Sequence, residues 1–173
     1  MLLFYTGVIR LTTGGNMRVI DILRTKPGVL YTTSPDTPIS KALLNIANHD
    51  AGSLIVMKDN RLVGLLSFRE IINMLARQLA PQEREAAIDL QTLRVKDVMH
   101  PDPVVIDPQM DLHALRGLMV SLRQRFMPVV EKDVVIGVLS FYDVAKAVHE
   151  SQETENRYLK AYINDQQHDA PRI

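Results

Sequence analysis

The chain repeats itself once, and no other feature limits its fold as strongly. Arg18 to Leu23 (RVIDIL) returns as Arg94 to Met99 (RVKDVM), and Ser34 to Leu43 (SPDTPISKAL) returns as Asp107 to Arg116 (DPQMDLHALR). Ser53 to Ile71 (SLIVMKDNRLVGLLSFREI) returns as Phe126 to Val144 (FMPVVEKDVVIGVLSFYDV). The last two pairs keep a constant offset. The first pair lies three residues further apart, which places a small insertion in the first copy around Thr25 to Leu30. Two copies are too few for a solenoid, whose units need several stacked neighbours. The duplication therefore predicts a pseudo-symmetric pair, each half burying the face that the other leaves bare.

Each copy predicts the same elements. A short strand, Leu30 to Thr33 or Val104 to Ile106, precedes a turn at Pro35 or Pro108. A helix follows, with an apolar stripe at 3.6-residue spacing: Ile39, Ala42, Leu43, Ile46 and Ala47, or Leu112, Leu115, Leu118, Met119 and Leu122. Asp36 and Asp111 stand near the helix starts, where acceptors satisfy free N–H groups. Two apolar strands come next, Leu54 to Met57 with Arg61 to Leu66, and Met127 to Glu131 with Val134 to Leu139. Their joints, Lys58-Asp59-Asn60 and Lys132-Asp133, are short and polar, a hairpin signal. Gly64 and Gly137 suit close approach of each hairpin to the other copy. A second helix is expected from Phe68 or Phe141, so the order is β-α-β-β-α.

The flanks are less regular. Met74 to Leu93 is helical in pattern with a break at Pro81, and Asp143 to Ile163 reads as one long helix with Ala145, Val148, Tyr158, Leu159 and Tyr162 needing a partner surface. The tail from Gln166 to Ile173 is expected to fray. Leu2 to Ile9 is apolar, yet it has neither a basic region before it nor a small-residue cleavage site. Residues 1–16 are therefore read as an extension, ahead of a turn-rich break at Thr12 to Asn16 and the patterned sequence from Met17.

Composition narrows the function classes. The 173 residues carry 20 Lys and Arg against 20 Asp and Glu, a formal charge of zero, which argues against a nonspecific nucleic-acid coat or a polybasic membrane binder. There is no cysteine, so thiolate, disulfide and iron–sulfur chemistry are excluded. With no export signal, the expected compartment is the cytoplasm. No run approaches the ~20 apolar residues that span a bilayer. His49, His100, His113, His149 and His168 are scattered, so no metal site is expected. No nucleophile stands with a base and an orienting partner, so an enzyme is not expected.

The duplicated Gly-[LV]-Leu-Ser-Phe-x-[ED], the start motifs Asp21-Ile22-Leu23 and Asp97-Val98-Met99, and the order β-α-β-β-α resemble tandem CBS domains, a Bateman module. The resemblance covers Met17 to about His149 and is closest in the second copy. It implies an α/β (α+β) fold of two repeats packed with pseudo-two-fold symmetry and a long C-terminal helix. The implied division is 1–16 extension, 17–78 first CBS domain, 79–93 helical linker, 94–149 second CBS domain and 150–173 helix and tail. It looks like the stand-alone bacterial type, some of which bind AMP and NAD(H).

The resemblance also implies where a ligand sits. In the family a Ser or Thr, followed three residues later by Asp, holds the ribose of an adenine nucleotide. The matching residues are Ser67 and Glu70, then Ser140 and Asp143. Ionised carboxylates accept hydroxyl donors, and a serine hydroxyl beside them donates or accepts. The first copy departs in Glu70, longer than the usual Asp, and in Ile55 where the second has the family's Pro128. Adenine would lie along Leu30, Tyr31, Thr32, Ala51, Gly52 and Ser53, or along Pro103, Val104, Arg125, Phe126 and Met127. Arg69 and Arg125 are the phosphate candidates, because guanidinium pairs with phosphate oxygens, and Arg123 and His49 come after them. Read alone, both Ser-x-x-acid motifs also have the form of helix capping boxes. Two functions remain open: a sensor of AMP, ATP or NAD(H) that works as a homodimer on an unknown regulated protein, or a ligand-independent dimeric scaffold.

Overall fold

A computed structural model describes residues 17–26, 28–79 and 92–168. In chain order the elements are α1 (Val19–Thr25), β1 (Thr32–Thr33), α2 (Ile39–Asn48), β2 (Ser53–Lys58), β3 (Arg61–Ser67) and α3 (Phe68–Leu79). The second half runs α4 (Val95–Val98), β4 (His100–Pro101), α5 (Leu112–Ser121), β5 (Phe126–Glu131), β6 (Val134–Ser140) and α6 (Phe141–His168). Residues 1–16 and the expected break at Pro81 lie outside the described residues.

Both hairpins turn on two residues with positive φ, Asp59 and Asn60 in one and Lys132 and Asp133 in the other. That pair of left-handed residues matches the right-handed twist of the flanking strands. Each hairpin carries an irregularity at the same place, after Val56 and after Val129. The opening strands are shorter than expected. Thr32 and Thr33 alone pair with β2, and in the second half only Ile106 bridges to Val129, while Val104 and Val105 lie exposed. Leu30 is not in a strand.

Two cores result, and each borrows a helix from the other copy. Val19 and Ile22 of α1 are buried in the second core with Leu112, Leu115, Met119, Met127 and Leu139. Val95 of α4 is buried in the first core with Ile39, Ile46, Leu54 and Leu66. Backbone bonds fix the exchange symmetrically. Val19 N–H donates to Met110 O (3.0 Å) and Leu112 N–H to Met17 O (2.9 Å); Val95 N–H donates to Thr37 O (2.9 Å) and Ile39 N–H to Leu93 O (2.8 Å). Gly64 and Gly137 mark the crossings. A Cβ on Gly64 would collide with the Met99 side chain behind α4, and one on Gly137 would press on the Leu23 side chain of α1. The two glycines thus serve the close approach expected of them.

Several local expectations need correction. Asp111 caps α5, accepting from the His113 and Ala114 N–H groups, but Asp36 does not cap α2: the N-cap position there is Pro38, and the Asp36 carboxylate pairs with Lys96 at 2.7 Å. Ala47 and Leu122 are exposed rather than part of the buried stripes, because both helices end there. On α6 the buried stripe is Val144, Ala147 and Val148, so Ala145 faces outward, and Tyr158 and Leu159 are exposed beyond the core. The helix continues through His168, past the point where fraying was expected.

Candidate functional site

Each Ser-x-x-acid motif sits where a strand passes directly into a helix. At the end of β3, Glu70 Oε2 accepts from the Ser67 N–H at 2.9 Å and from the Ser67 hydroxyl at 2.5 Å. The Ser67 hydroxyl oxygen accepts from the Arg69 N–H at 3.3 Å. At the end of β6, Asp143 Oδ2 accepts from the Ser140 N–H at 2.7 Å and from its hydroxyl at 2.6 Å, while Asp143 N–H donates back to Ser140 Oγ at 3.1 Å. The serine and carboxylate therefore cap α3 and α6. The same bonds hold each carboxylate beside its own serine hydroxyl.

The two carboxylates differ in their surroundings. Lys26, just past α1, places its ammonium 2.7 Å from Asp143 Oδ2 and donates to Val138 O at 3.1 Å. Burial would raise the Asp143 pKa, but the Lys26 and Ser140 hydrogen bonds and the Lys26 charge outweigh it, holding the carboxyl below its ordinary 3.8. Glu70 has no cation partner among the described residues. It borders a cavity of about 300 Å³ lined also by Asn73 and Arg77 of α3, by Asp97 of α4, by Met99 just past it and by His100 of β4. Among the expected binding residues, Glu70 alone lines that cavity.

The remaining candidates fall into three groups. Arg69 reaches across to the other repeat and donates to the Arg123 carbonyl, and the Phe126 ring lies against Gly52 so closely that no Cβ would fit there. Gly52, Arg69, Arg123 and Phe126 thus meet where the repeats touch, and the Arg69 guanidinium is engaged with backbone. Tyr31, Thr32, Ala51 and Ser53 line the start of the first sheet. The Tyr31 carbonyl accepts from the Ile55 N–H at 3.0 Å, and its ring lies 4.9 Å from that of His49. Leu30 is half-buried beside them. In the second half Pro103, Met127 and Pro128 are buried, Met127 wholly within the core. Val104 and Arg125 are exposed, and the Arg125 carbonyl accepts from the Phe141 N–H at 2.8 Å. Lys26 is the residue that sequence reasoning missed. Its one signal was the insertion that contains it.

Among the described residues no group of three or more His, Asp or Glu is placed to hold a metal ion, and no helix is long and apolar enough to cross a membrane.

Two segments of the chain match a known family. The family model described as "CBS domain" matches residues 19–77 and 95–150. The chain is 29% identical over 139 residues to the mitochondrial CBS domain-containing protein CBSX3 of Arabidopsis thaliana. That match covers 78% of this chain and 63% of the plant protein, so less than two thirds of the latter is represented. Among solved structures, the CBS domain protein NE2398 superposes with a TM-score of 0.67 at 26% identity, covering 78% of this chain and 98% of that one. CBSX2 of Arabidopsis thaliana in complex with AMP gives 0.59 at 25% identity, covering 71% and 90%. With the family model covering more than half of the residues, the chain belongs to the CBS-domain family, as a tandem pair of repeats.

Proposed function

We propose that the chain is a regulatory sensor that binds an adenine nucleotide, AMP, ATP or NAD(H), in clefts between its two repeats. Binding reshapes a surface read by a partner protein. The observation that carries this reading is the duplicated serine–carboxylate pair. Each is held rigid at a strand-to-helix junction, and the helix N-terminus beside it favours anionic phosphate. The AMP complex of CBSX2 supports the choice of ligand class. The repeat boundaries are proposed as 17–78 and 94–149, and the chemistry as binding rather than turnover. A homodimer is part of the proposal. Phe68, Ile72, Leu75 and Leu79 form an exposed apolar stripe along α3, a surface that a second copy would cover. The bacterial stand-alone type and a cytoplasmic setting complete the reading. Calorimetry and thermal shift with AMP, ADP, ATP and NADH test it. Saturable heat with at least one nucleotide is expected, and no heat and no shift with any of them would overturn it.

A scaffold without ligand is the second reading. It is favoured by one fact: the serine–carboxylate bonds already satisfy the starts of α3 and α6. It predicts that nucleotides leave the melting point and the oligomeric state unchanged.

A further inference from the structure

The two halves present the same acceptor in different states. Asp143 Oδ2 receives three donors, the Ser140 N–H, the Ser140 hydroxyl and the Lys26 ammonium. The two Ser140 donors have counterparts on Glu70, so the Lys26 ammonium is the added occupant of this carboxylate. Glu70 Oε2 receives two donors, both from Ser67, and its side chain borders open space. The cause is the insertion in the first copy. α1 runs 7 residues where α4 runs 4. After α4 the chain leaves the helix at once and His100 pairs with Leu65 as β4. After Leu23 it stays helical through Thr25, and Lys26 then bonds the Val138 carbonyl and the Asp143 carboxylate. Lys26 is held on both contacts with its side chain 30% exposed and that of Asp143 17% exposed, so solvent screens the pair only in part.

We propose that Lys26 is a built-in occupant of the second cleft, so that nucleotide selects the first cleft and its Glu70 acceptor. This rests on the nucleotide-sensor reading and decides which of its two clefts takes ligand. A ligand at the second cleft has to wait for Lys26 to leave, and its apparent affinity falls by the fraction of time that the acceptor is free. A nucleotide at the first cleft meets no such competitor.

Calorimetric titration of the full chain with AMP tests this, with adenosine as a probe that keeps the diol and lacks the phosphate. In the unaltered protein, Glu70→Gln weakens binding by about tenfold or more, while Asp143→Asn leaves it within about twofold. Lys26→Met, which keeps the apolar stem, adds a second site that Asp143→Asn abolishes; Lys26→Arg, which keeps the charge, adds none. Circular dichroism confirms that each variant is folded, with Lys26→Gln standing in if Lys26→Met is not. Weaker binding in Lys26→Met would make Lys26 a ligand contact and overturn the proposal while the sensor reading stands. So would binding in the unaltered protein that Asp143→Asn weakens as much as Glu70→Gln. Absence of heat from every variant would overturn the sensor reading and the proposal together.

Discussion

The two crossing segments, α1 with Lys26 and α4 with β4, start alike and end differently. Both open with a carboxylate that accepts the N-cap N–H: Asp21 from Arg18 at 3.0 Å, and Asp97 from Arg94 at 2.9 Å. Both lay a long side chain, Leu23 or Met99, on a glycine of the other repeat. From there one becomes an edge strand and the other extends its helix and ends in a cation. Three extra residues thus leave the fold of both halves intact while changing the charge beside one of the two matched carboxylates. In a duplicated protein, packing positions hold the copies alike and a short connection can make their sites unlike.

Substitutions at matched positions test how far the halves are alike. The largest effects should come from Leu66→Ala and Leu139→Ala, both fully buried, one in each core. Each is expected to cost about 3 kcal/mol through lost transfer energy and the cavity left behind. Because each core contains a helix of the other copy, both variants should unfold in a single denaturant transition. Separate transitions for the two halves would break the exchange picture.

The glycines come next and should differ. Gly64→Ala presses on the Met99 side chain and on the His100 carbonyl oxygen 3.1 Å away, which belongs to backbone pinned in β4. Gly137→Ala meets only the methyl ends of Leu23, which can turn aside. A cost of about 2 kcal/mol is expected for the first and about 1 kcal/mol or less for the second. Chemical denaturation would expose the reverse order.

Lys26→Met should cost about 1 kcal/mol near neutral pH, since it strips a charged hydrogen bond from a partly buried carboxylate. The sign of its pH dependence follows from the depressed Asp143 pKa. The pair's contribution is complete above the unfolded carboxyl value of 3.8 and fades as pH falls through the lower folded value, where Asp143 takes up its proton. The difference between Lys26→Met and the unaltered protein should therefore shrink in acid. Lys96→Met is the contrast, because its pair with Asp36 lies open to solvent; no measurable shift in melting temperature is expected at any pH. A loss in Lys26→Met that persists at pH 2 would locate the effect in its stem rather than its charge.

Much of this was legible in the sequence because it is local. Alternating apolar strands around Asp59-Asn60 and Lys132-Asp133 specify hairpins, and a serine with an acid three residues on marks where α3 and α6 begin. The pairing of Gly64 and Gly137 with the other copy followed from the duplication. The exchange of α1 and α4 was not legible. An apolar pair such as Val19 and Ile22 records that a helix is buried, without recording against which core. Asp36 and Asp111 occupy nearly equivalent places, yet two residues of register separate a cap from a surface ion pair. The two serine–carboxylate pairs were legible through the duplicated motif, while the Lys26 ammonium that distinguishes them lay in an insertion with no pattern of its own.

The most direct measurement is a crystal structure of the full chain soaked in AMP. The account predicts ribose hydroxyls on Glu70 in the first half, with Lys26 still seated on Asp143. Ribose on Asp143 with Lys26 swung away and the Glu70 cleft empty would contradict it.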